Sequence, residues 1–138
     1  MSPNARPPTF LTSIRNSAGT FASRSIVTLR GDGTVVAVDS LQYRGVQKSG
    51  FSTQRGTFRC TGARTAVARS LNFSFPPQPA IARSDWTLSI DAAGKISGTI
   101  TLYLHEGLEG VDPFAKPGKL IDIFRFTGVR VEPPPEKK

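Results

Sequence analysis

Residues 83–104, RSDWTLSIDAAGKISGTITLYL, decide the fold. Trp86, Leu88 and Ile90 alternate with Asp85, Thr87 and Ser89. Asp91-Ala92-Ala93-Gly94 then reverses the chain. Ile96, Gly98, Ile100, Leu102 and Leu104 follow, alternating with Ser97, Thr99, Thr101 and Tyr103. Successive strand side chains point to opposite faces, so a period of two on both sides of a glycine-containing turn predicts a β-hairpin.

The same alternation recurs on either side. Upstream, residues 19–29 read as a strand, Gly31-Asp32-Gly33 as a tight turn, and residues 34–40 as the returning strand. Residues 41–53 read as a loop or irregular strand broken by Gly45 and Gly50. Residues 55–60 and 65–75 make two further strands, and Pro76-Pro77 ends the second because proline cannot donate to a ladder. Downstream, residues 105–119 form the longest stretch without period, and residues 120–131 (LIDIFRFTGVRV) are the most β-prone. Seven or eight strands in sequential order, with no amphipathic helix of useful length, predict an all-β antiparallel meander closing into a barrel of about eight strands. Closure is the most complete way to remove sticky sheet edges. Gly19, Gly56 and Gly98 each precede a Thr and an apolar residue, and glycine within a strand marks a bend or bulge. We assign residues 1–17 to a flexible arm, with Thr9-Phe10-Leu11 able to pair at a sheet edge. Residues 18–131 form one barrel domain, and residues 132–138 a Pro-rich tail.

The 138 residues carry a net charge of +8, which permits attraction to acidic partners. The arginines are scattered along the chain, so a solvated face is the plainer reading and nucleic acid the less favoured partner. The single cysteine, Cys60, leaves no internal disulfide and no multi-cysteine metal site. No apolar run approaches the ~18 residues of a membrane helix, and the N-terminal residues lack a signal-peptide core. A cytoplasmic location is expected, with secretion open if a leader has been removed.

The pattern resembles the calycin and lipocalin-like group of meander barrels over residues 19–131. In that group an early strand carries a Gly-x-Trp motif whose ring is covered by a basic residue from the last strand. Gly19-Thr20-Phe21 stands in the first position, with Phe for Trp, and Arg130 in Thr127-Gly128-Val129-Arg130 would supply the lid through a cation–π contact. The resemblance implies an apolar interior for a small hydrophobic ligand. Some barrels of similar shape act without cofactors as cyclases or isomerases.

An eight-stranded barrel is just wide enough to be filled by side chains or to hold one small ligand. Trp86, Leu88, Phe73, Phe75, Leu102, Phe124, Phe126 and Tyr43 are the candidates to line that space, the plain alternative being a filled core. Residues 120–131 are apolar on both faces, with Ile121, Ile123 and Val129 on one and Leu120, Phe124 and Phe126 on the other. That pattern is expected of a homodimer interface. For proton transfer the candidates are Tyr103, His105, Asp85 and Asp122. His105, the only histidine, titrates near neutrality as a residue type. Glu106, Glu109 and Asp112 lie close enough in sequence to orient it, although a solvated polar loop is favoured. Asp85 and Asp122 stand inside strands, where acids are disfavoured. Each is either a buried acid or, more simply, half of a surface pair with arginine. No metal or cofactor motif is present.

The expected function is binding of a small hydrophobic or aromatic molecule inside the barrel, its mouth closed by residues 41–53 and 105–119. The alternative is a cofactor-independent isomerase, cyclase or lyase acting on a polyketide- or terpenoid-like substrate in the same space. A second alternative is a basic interaction module for nucleic acid or another acidic partner.

Overall fold

The computed structural model describes residues 8–42, 50–75 and 77–136. Eight strands follow one another: β1 (Thr9–Arg15), β2 (Phe21–Leu29), β3 (Thr34–Asp39), β4 (Gln54–Cys60), β5 (Thr65–Ser74), β6 (Ala80–Ile90), β7 (Lys95–Glu106) and β8 (Lys119–Arg130). Each pairs antiparallel with the next, and β1 also pairs with β8, so the sheet is a closed barrel. The quoted hairpin is β6–β7, in register from Ala80↔Glu106 to Ile90↔Ile96. Gly94, with φ of 81°, supplies the left-handed residue its turn needs.

The closing strand comes from the segment read as a flexible arm. Thr9–Arg15 is fully paired on both sides, with Phe10, Thr12 and Ile14 buried. The prolines before it hid a strand whose own alternation, Phe10-x-Thr12-x-Ile14, carries only two apolar residues on the inner face.

Short turns at residues 30–33, 61–64 and 91–94 gather at one end of the barrel, here the turn end. The connections 16–20 and 107–118 and the described parts of those after β3 and β5 (40–42, 50–53, 75 and 77–79) gather at the other, the loop end. The turn-end half of the interior is packed: Phe10, Val27, Leu29, Val35, Leu88, Ile96, Trp86 and Phe126 are all nearly inaccessible. The Trp86 and Phe126 rings meet edge to face, with centroids 5.7 Å apart. Gly98 makes this packing possible. A Cβ there would lie 1.8 Å from the Thr87 carbonyl oxygen and 2.9 Å from the Phe126 ring. At Gly56 and Gly98 the neighbouring strand presses on the backbone, leaving no room for a Cβ, and the register runs through both without a bulge. Gly19 instead sits in a turn at φ 83°.

One strand turns a different face inward from that expected, and another departs at a single residue. On β5 the inner residues are Ala66, Ala68, Ser70 and Asn72, and Phe73 and Phe75 are 53% and 43% exposed. Inside, opposite Trp86, a small barrel has room for alanine and serine but not for a second row of phenylalanines. On β8, Phe124 and Phe126 face inward, but Leu120 does not share their face. Leu102 pairs with Asp122 while Tyr103 pairs with Leu120, so Ile121 is an extra bulged residue that turns Leu120 outward. Ile121, Ile123 and Val129 are exposed on the outer wall.

Candidate functional site

The interior changes character toward the loop end. Below the Trp86 layer most of the buried inward side chains are small, and many are hydroxylic: Thr12, Ser23, Ser25, Ala37, Ser70, Asn72, Ala82 and Ser84, with Ile14 the one large apolar residue buried among them. Cross-strand register puts them on one continuous inner surface, for example Thr12↔Ser25, Asn72↔Ala82 and Ser84↔Leu102. Leu102, Leu104 and Phe124 share that surface by register and remain partly accessible. Buried polar groups need partners, and here they form short chains. The Trp86 Nε1–H donates to Ser70 Oγ at 2.9 Å, and Ser70 Oγ donates to Gln54 Oε1 at 2.8 Å. Thr12 and Ser25 share a hydroxyl–hydroxyl bond.

Two acids stand on this surface: Asp122, the register partner of Leu102, at its loop-end edge, and Asp39, at the end of β3. Asp39 pairs with the inward Ser25 and accepts from Ser23 Oγ at 2.9 Å and from the Leu41 amide at 2.8 Å. Burial pushes its carboxyl above the ordinary value, and the bonds from Leu41 and Ser23 recover only part of that. Gln42, fully buried, accepts from the Asp39 amide at 2.7 Å and donates to Thr53, tying both described ends of the loop after β3 to the barrel mouth. Sequence reasoning missed Asp39 because TVVAVD is apolar on both faces. The only signal was an acid at the end of a strand followed closely by Gln42.

The expected site residues scatter. Trp86, Leu88 and Phe126 belong to the packed turn-end core. Leu102 and Phe124 face the polar half, Phe73 and Phe75 lie outside, and Tyr43 is outside the described residues. Asp85 stands on the outer wall between Arg69 (2.8 Å) and Arg83 (2.7 Å). Partial burial would raise its pKa, but the hydrogen bonds from the two guanidiniums outweigh this and hold it at about 2. Tyr103 is also on the outer wall, with the Arg83 guanidinium 5.3 Å from its ring centre. Asp122 stands at the loop-end rim, its pKa lowered by the Ser17 bond and the Ile123 amide.

His105 is buried, but on the outside of the sheet. Its register partner is Ile81, and residues 107–118 fold over it so that a Cβ on Gly118 would fall 2.7 Å from Nε2. This second loop was expected to close the mouth. It lies against the outer wall instead, fixed by Arg83 Nη1 donating to the Pro113 carbonyl at 3.0 Å. The expected aromatic lid is likewise absent: Phe21 is 52% exposed at the loop end, whereas Arg130 ends β8 at the turn end beside Glu132.

No family model, no curated protein sequence and no solved structure matches this chain. Among the described residues, no helix is long and apolar enough to cross a membrane.

Proposed function

We propose that the loop-end half of the barrel binds a compact hydrophobic or aromatic molecule carrying one or two oxygen functions. The observation behind this reading is the change in side-chain size along the interior. Trp86, Phe126 and Phe10 fill one half, while mainly serines and alanines, with Ile14 among them, line the other. Small side chains leave volume in a barrel of fixed width. The partly accessible Leu102, Leu104 and Phe124 supply apolar contact, and Ser23, Asn72, Ser84 and Asp39 supply polar contacts that fix orientation. In this reading the barrel works as the lipocalin-like group does, without that group's aromatic lid.

Asp39 favours a second reading. A carboxyl with raised pKa on an apolar and hydroxylic wall is suited to move a proton, and the alternative of a cofactor-independent isomerase, cyclase or lyase would place that role on Asp39. Asp85, Tyr103 and His105 face away from this space, and Asp122 reaches only its rim.

Titration with an environment-sensitive anilinonaphthalene dye tests the binding reading. The reading expects saturable one-to-one enhancement that weakens at least tenfold in Ser84→Leu, which fills the inner wall, and not in Thr87→Leu on the outer wall of the same strand. Equal binding to both variants, each confirmed folded by circular dichroism, would overturn it.

A further inference from the structure

The outer wall carries a groove of about 700 Å³ across β4 to β7, lined among others by Thr57, Arg59, Arg69, Asp85, Thr99 and Phe114. Two rows of outward residues cross it in register. One runs Arg59↔Val67↔Thr87↔Thr99↔Arg125, the other Thr57↔Arg69↔Asp85↔Thr101. Arg59 on β4 and Arg69 on β5 thereby stand on the same face of neighbouring strands, which are about 4.8 Å apart, while Arg125 ends the first row four strands from Arg59. Asp85 is the sole acid of the lining, and it is held by both Arg69 and Arg83. Two guanidiniums thus share the one carboxylate, and Arg59 has no acidic partner among the described residues.

Phe114 completes the groove. Its ring is 55% exposed, yet its backbone is held on both sides: Arg83 binds the preceding Pro113 carbonyl, and the Phe114 amide donates to Asp112 Oδ1 at 2.9 Å. An exposed ring on a backbone already pinned has less freedom to lose when a flat partner stacks on it. The Thr87 and Thr99 hydroxyls, 2.7 Å apart, keep acceptor and donor capacity toward a ligand.

We propose that this outer groove binds single-stranded nucleic acid, with phosphates on Arg59 and Arg69, an unpaired base against Phe114 and the threonine hydroxyls toward the sugar–phosphate backbone. A positively charged track beside a stacking ring is the combination by which single strands are bound without sequence readout. A duplex keeps its base faces inside and leaves the ring unused, and a sulfated polysaccharide offers no flat base to stack. The groove is on the outside of the sheet and is independent of what the interior binds.

Fluorescence anisotropy of the full chain with a labelled DNA single strand of about 12 nucleotides tests this. For about two neutralised phosphates, affinity falls roughly sevenfold between about 50 and about 200 mM salt. Phe114→Ala weakens binding about tenfold with no loss of thermal stability. Arg59→Glu weakens it more than Arg24→Glu, the same charge change on the opposite wall. Absence of binding at the lower salt would overturn the proposal. So would equal losses in the two arginine variants with none in Phe114→Ala, or tighter binding of heparin or of the matching duplex than of the single strand.

Discussion

Two strand aspartates show how a single side chain's surroundings set its role. Asp85 lies outside, between two arginines, and is held at about pKa 2. Its folded pKa is depressed, so the stability it contributes is present above the ordinary value of 3.8 and is lost as pH falls through about 2. Asp85→Asn leaves the well-buried Arg83 guanidinium without its carboxylate. Chemical denaturation at neutral pH is expected to show a loss on the order of 2 kcal/mol, and the variant is expected to lose the wild type's steep acid limb. Asp39 behaves oppositely. Its folded pKa is raised, so its contribution is complete below 3.8 and is lost as pH rises through the folded value. Asp39→Asn is therefore expected to flatten the decline of the denaturation midpoint as pH rises above 3.8. A midpoint that declines as steeply in the variant would show that Asp39 is not the buried acid responsible.

At the scale of the strand, glycine and small residues set the barrel's curvature. Gly98 faces inward where the Thr87 carbonyl and the Phe126 ring both press on it. Gly98→Ala forces β6 and β7 apart or displaces Phe126. A loss of at least about 2 kcal/mol is expected from overpacking, read as a shifted urea midpoint. Gly110→Ala, which meets nothing within 4 Å, is the comparison for backbone strain alone, since Gly110 also has a positive φ of 71°. The strands themselves were legible in the sequence wherever one face was polar. In β6 and β7 the Trp86-x-Leu88 and Ile96-x-Gly98-x-Ile100 patterns fixed both period and face. Where both faces carry apolar residues, period two still announces a strand but not which side is inside. Hence Phe73 on β5 and Leu120 on β8 were placed on the wrong wall, the second by a bulge that no local pattern encodes. β1 was hidden for a different reason, since its inner face includes Thr12, whose partner Ser25 is brought to it only by the fold.

For the whole molecule, closure was readable because it follows from sequential antiparallel strands and the need to hide edges. The site was not, because it depends on which residues meet across strands far apart in sequence. Asp39 on β3 joins Ser84 and Leu102 on one inner surface only through the curvature of the folded sheet, and Arg59, Thr87 and Arg125 are aligned on the other side only by the register of five strands. The barrel thus presents two different surfaces. One is an interior filled with aromatic and aliphatic bulk at the turn end and lined with hydroxyls at the loop end. The other is an outer wall where arginines and threonines stand in rows beside an exposed ring. The loop of residues 107–118 serves the outer wall and not the mouth, since its anchor is Arg83 and its buried neighbour is His105.

The most direct measurement is a two-dimensional amide NMR map of the protein with and without a saturating small aromatic probe such as the anilinonaphthalene dye. Shifts confined to the amides of Ser23, Asp39, Asn72, Ser84, Leu102 and Phe124 are the predicted result. An unperturbed inner wall, with shifts only at Phe73, Ile123, Phe114 or other outward residues, would contradict an interior that receives a ligand.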